Sequence, residues 1–187
     1  MDYKELMKDW KSEDLFRFDV HDLTSKGLNQ ETTDFLSNVG LPTSVAPYLS
    51  FVGDLEKELR SVFDTYETGE VGHKYFLSIG TDGAGNPICI DIKNDCQVVV
   101  LNHEEDFSST FMNSSVVELF QFLTLYKSFV EDVIGVNGED AFLDANFTDK
   151  QYEELKKGME VVEDKALRPN TSWAQELKLL LVNRENF

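Results

Sequence analysis

Two short stretches hold residue types that could do chemistry. In Ile79–Asp91, IGTDGAGNPICID, three glycines, two aspartates and an asparagine lie between apolar runs, a composition shared with loops that cradle phosphate or chelate calcium. In His103-Glu104-Glu105-Asp106 an imidazole stands beside three carboxylates, as in a metal or acid/base cluster. Spacing argues against both. A phosphate site needs its glycines to lead into a helix whose N-terminal amides bind the anion, and here Pro87 and a β-like run follow. A calcium loop begun at Asp82 needs oxygen ligands at alternate positions and a glutamate in twelfth place, where Ala84 and Lys93 stand. The stretch reads as a wide turn in which Gly83 and Gly85 supply positive φ and Pro87 opens the next strand. His103 lacks the H-E-x-x-H spacing, so its tract reads as a solvated loop.

Nucleophilic catalysis fares no better. No G-x-S-x-G occurs, and Cys89 and Cys96 fall on predicted strands on either side of the tight turn Lys93-Asn94-Asp95. That hairpin sets Cys89 opposite residue 99 or 100, so a disulfide is not expected and reduced thiols fit a cytoplasmic address. There is no C-x-x-C, and none of His21, His73 and His103 has a His or Cys at ligand spacing, so no metal and no cofactor are expected. Among 35 acidic residues nothing picks out a glycosidase-type carboxylate pair. The expectation is a protein that is not an enzyme, with a carboxylate-based hydrolase as the reading from another class.

The elements that would position these stretches are legible to different degrees. Tyr75–Ile79, Ile88–Ile92 and Gln97–Leu101 are strand-like runs separated by turn residues, an antiparallel meander with Ile88, Ile90 and Ile92 on one face and Asp91 on the other. Leu6, Met7 and Trp10 have helical spacing, Phe16 and Phe18 alternate, and Asn29–Val39 reads as a helix closed by Gly40 and Pro42. Residues 48–66 read as strand, charged turn, then strand or helix. Ser115 and Glu118 have capping-box spacing before a long greasy helix carrying Val116, Leu119, Phe120, Leu123 and Tyr126 on one stripe, ended at Gly135–Gly138. Thr148 with Gln151 repeats the box, backed by a Phe147–Tyr152 staple, and a last helix follows Pro169 over about Ser172–Val182. Strands clustered between helices give an α+β fold, a central antiparallel sheet with helices on one side, in a single domain over 1–187.

At 187 residues, 41% of them hydrophobic with 14 Phe, 6 Tyr and 2 Trp, the chain has material for a core. Its charge is the unusual property: 35 acidic against 17 basic residues, a formal net charge of -18. Such a field repels nucleic acid and anionic membranes and speeds encounter with a basic partner by roughly 10 to 1000-fold at low salt. No apolar run approaches the roughly 20 residues of a spanning helix, and Met1–Leu6 lacks the apolar core of a signal peptide, so a cytoplasmic protein is expected.

The order of features also resembles a known family. Gly40-Leu41-Pro42 closing an early helix, Ile79-Gly80 with Asp82-Gly83, Cys89-Ile90-Asp91, the Val98–Val100 strand ending in Asn102, and Phe111-Met112-Asn113-Ser114-Ser115 before a helix with Phe120 and Leu123 are together similar to the SUKH superfamily, over roughly residues 28 to 130. The matched residues read as scaffold: Gly40 and Gly80 for turns, Asp91 and Asn102 for strand-end hydrogen bonds, Ser114 and Ser115 for the cap. The resemblance implies a non-enzymatic α+β domain that in bacteria commonly serves as an immunity protein, neutralising a polymorphic toxin such as a nuclease or nucleic-acid deaminase. Such toxins tend to be basic because they hold phosphate backbones. The resemblance also reaches regulatory scaffolds outside toxin systems, which leaves an intracellular interaction module as the alternative. Candidate contact residues are acids near sheet turns and edges: Asp82, Asp95, Glu104, Glu105 and Asp106.

Overall fold

The computed structural model describes residues 3–47, 49–51 and 58–186. Short elements come first: α1 (Tyr3–Leu6), β1 (Leu15–Phe16), α2 (Val20–Ser25), α3 (Gln30–Asn38), β2 (Leu41–Pro42), β3 (Ser44–Val45), β4 (Leu49–Phe51), β5 (Arg60–Ser61) and α4 (Val62–Tyr66). The meander follows as β6 (Phe76–Thr81), β7 (Pro87–Asp91), β8 (Gln97–Asn102) and β9 (Ser108–Asn113), and the chain closes with α5 (Val116–Asn137), α6 (Asp149–Glu163) and α7 (Ser172–Asn186). The main sheet is antiparallel in the order β3-β4-β6-β7-β8-β9, with β5 also paired to β6. Part of the expected strand, turn, and strand or helix over 48–66 lies outside the described residues. What is described there is β4, β5 and α4.

The α+β expectation holds, and α5 is the element that explains it. Val116, Leu119, Phe120, Leu123 and Tyr126 are all fully buried, in one core with Ile88, Ile90 and Val98 of the sheet and Phe35 and Leu36 of α3. Burying such side chains contributes about 1.5–3 kcal/mol each. Helix α6 reaches α5 where Gly158 lets Leu125 approach: a Cβ there would stand 3.0 Å from Leu125 Cδ2. Among the described residues no helix is long and apolar enough to cross a membrane.

The strand alternation also feeds the second face of the sheet. Cys89, Val99 and Leu101 point away from α5 and form a smaller cluster with Val62 of α4, packed by Phe76 and Phe107. Strand β7 is therefore buried along its whole length, Asp91 included. The register sets Cys89 opposite Val99, and both cysteines are free. Burial pushes the Cys89 thiol well above its ordinary pKa, which leaves it a small apolar filler.

Several local expectations need correcting. Gly80 lies inside β6, not in a turn; it is glycine because β4 crosses so closely that a Cβ would meet Ser50 O at 2.4 Å. Gly85 has φ +83° and Gly83 is not in the positive region. The Thr148–Gln151 box forms in full, whereas Ser115 Oγ accepts from Val117 N and donates to the Glu118 carboxylate, so the reciprocal bond is absent. Strand β9 was not read from the sequence, because SSTFMN is polar at its exposed end.

Candidate functional site

The structure distributes the five candidate acids between the two ends of the meander. Asp82 lies in the β6–β7 turn, and Glu104, Glu105 and Asp106 lie in the β8–β9 turn at the same end. Asp95 lies in the β7–β8 turn at the opposite end, a strand length away, roughly 17 Å at 3.4 Å per residue.

Asp82 organises its own turn. Oδ1 accepts from Ala84 N and Asn86 N, both at 2.9 Å, and Oδ2 accepts from Asn86 Nδ2 at 3.0 Å. Asn86 then ties the two turns together: its Oδ1 accepts from His103 N at 3.2 Å and lies 2.8 Å from His103 Nδ1. In the next turn Asn102 Oδ1 accepts from Glu104 N, and Phe107 packs on Tyr66 and His73, which fixes the loop from below. Glu104, Glu105 and Asp106 are left exposed. Among the described residues none of these three, nor Asp82, forms an ion pair, while acids on the helices do: Glu131 with Lys127 at 2.7 Å, Glu154 with Lys150 at 3.7 Å and Glu160 with Lys156 at 3.8 Å. These four acids therefore add negative charge to this end of the sheet that no ion pair among the described residues offsets.

Beside these turns a cleft of about 440 Å³ runs between α7 and the sheet. Asp82 and Asn86 stand on one side, Val100 and Met112 form part of the sheet wall, and Trp173, Glu176 and Leu179 come from α7. Trp173 is held by its Nε1–H, which donates to Asn113 Oδ1 at 2.8 Å, and Asn113 Nδ2 donates in turn to Glu163 at 3.0 Å. This chain of bonds, buried at Trp173 and Asn113 and half-buried at Glu163, joins α7, β9 and α6 and sets the position of the cleft wall. Glu176 accepts from the hydroxyl of buried Tyr126 at 2.6 Å, and burial raises its pKa above the usual carboxylate value against the opposing effect of that hydrogen bond. Sequence reading missed Glu176, Asn86 and the cleft. The spacing of Trp173 and Glu176 puts them about a turn apart on α7 but does not say what that helix covers.

Among the described residues no group of three or more metal-ligating side chains converges. Asp95 is bound into the scaffold: Asn29 Nδ2 donates to its backbone oxygen at 3.3 Å and to Oδ1 at 3.4 Å.

Comparison with protein families finds that the SUKH-4 immunity protein family matches residues 1–181, well beyond the central span in which the sequence motifs lie. Searches of curated proteins and of solved structures gave no match.

Proposed function

The chain thus belongs to the SUKH-4 immunity protein family, and from that premise we propose that it binds and neutralises a cognate basic toxin in the cytoplasm, without catalysis of its own. The observation that carries the proposal is the grouping of Asp82, Glu104, Glu105 and Asp106 at one end of the sheet, none of them in an ion pair among the described residues. A nuclease or nucleic-acid deaminase suits this surface, because the cationic groove that holds phosphates would meet carboxylates in their place. Covering that groove is sufficient for neutralisation. The other candidate, Asp95, serves as scaffold in this reading.

Co-expression with the toxin encoded beside it tests the proposal: cells survive with the wild-type chain, and an affinity-tagged chain retains the toxin. Changing Glu104, Glu105 and Asp106 to Gln, Gln and Asn weakens that retention and makes it less sensitive to salt. Absence of both rescue and retention by the wild-type chain would refute it.

A further inference from the structure

We infer that the cleft between α7 and the sheet is a socket for one arginine side chain of a protein partner. The inference rests on the immunity reading for the identity of that partner, and on the cleft alone for its chemistry.

The walls and the carboxylate suit a guanidinium on an aliphatic stem. Pro47, Leu49, Met112 and Leu179 supply apolar surface for three methylenes, and Glu176 supplies the charge. At about 440 Å³ the cleft is near the lower end of ligand-sized pockets, roughly 300–1,000 Å³, which suits a long side chain and the backbone beside it. Glu176 has the Tyr126 hydroxyl on Oε1, and among the described residues no further hydrogen bond and no cation reaches its other oxygen. Ser172 Oγ, one turn earlier on the same helix, lines the cleft and is also without a partner among the described residues. A desolvated carboxylate with an open oxygen costs stability, as its raised pKa reflects, and a guanidinium would compensate it. Arginine fits better than lysine because its planar, weakly hydrated head tolerates partial dehydration and pairs with carboxylate oxygens in a fork. The adjoining acidic turns would draw such a residue in.

The experiment is a titration of the full chain with Nα-acetyl-arginine methylamide, followed by amide NMR shifts, with the citrulline analogue as the neutral isostere. Saturable shifts at Gly83, Ala84, Asn86 and Glu176 are expected for the arginine compound, with the citrulline compound at least about tenfold weaker, the effect of losing one charge-assisted hydrogen bond. Glu176→Gln keeps an acceptor for Tyr126 and should weaken binding by about tenfold. Leu179→Lys, at an exposed lining position, should abolish it while the thermal melt stays cooperative. Equal binding of the two compounds, shifts spread over residues 104–106 without α7, or indifference to both substitutions would overturn the socket. If a toxin is retained with undiminished affinity by Glu176→Gln, the socket falls and the immunity reading stands. If the arginine compound binds as described but no toxin is retained, the reverse holds.

Discussion

The β7–β8 and β8–β9 turns are built on one plan and used in opposite ways. Each starts from an Asx residue whose side chain accepts from the amide two positions on: Asp91 from Lys93 and Asn102 from Glu104, both at 3.0 Å. Each passes through two successive residues of positive φ, Asp95-Cys96 and Asp106-Phe107, and each closes with the same three backbone bonds onto the Asx carbonyl and the residue three further on. The surroundings differ. Cys96 is buried and accepts from Asn29 N at 3.4 Å, and Lys93 sits 4.2 Å over the Tyr75 ring, so helix α3 and its cap close that end. At the other end Phe107 alone turns inward, and Glu104, Glu105 and Asp106 face solvent. Identical backbone geometry thus says nothing about role; what packs against the turn decides whether its acids hold the scaffold or form a surface.

The sharpest way to test this contrast is to break the shared Asx bond at the closed end. Asp91 is 4% exposed and accepts from Lys93 N and, at 2.6 Å, from Asn94 Nδ2. Asp91→Ala should cost about 2–3 kcal/mol in chemical denaturation, leaving the toxin affinity of the folded fraction unchanged. Neutralising Glu104, Glu105 and Asp106 together should do the opposite. Affinity falls by about 10 to 100-fold at low salt, mainly through the association rate, while stability moves by less than about 0.5 kcal/mol. Stopped-flow binding and a denaturant melt on the same sample separate the two. Asp95→Ala is expected to loosen the α3 cap by about 0.5–1 kcal/mol, with binding unaltered; an affinity loss like that of the triple variant would erase the distinction between the ends. The smallest effect concerns Glu176. Its folded pKa is raised, so its contribution to stability is fully present below the ordinary glutamate pKa and is lost as pH rises through the folded value. Melts across that range should show Glu176→Gln matching the wild type in acid and becoming the more stable of the two towards neutral pH.

Most of the frame was legible before the structure. The apolar alternation of Ile88 and Ile90, the stripes of α5 and the Thr148 cap are local patterns, and each became the element expected. The polar strand β9 and the two-residue strand β3 were not, because an edge strand with one solvated side carries little hydrophobic signal, whereas β4 and β5 fall within the stretch 48–66 that reads as strand, turn, then strand or helix. Gly80 illustrates a subtler limit. Its identity follows from Ser50 O crossing where a side chain would be, a contact between residues 30 positions apart that neither neighbourhood announces.

The acids of the candidate site were visible by type, and their grouping was not. Sequence alone determined the sign and size of the charge, the meander and its turns, the central helix, and a likeness specific enough to point to the family, because all of these reside in composition and in patterns of a few residues. Which turn meets a helix cap and which meets water, the pairing of Asn86 with His103, and the cleft that brings Glu176 beside Asp82 were decided by tertiary structure. They depend on helices α3 and α7 docking at particular places on the sheet, and such long-range packing is set by the fit of whole surfaces rather than by any local run of residues.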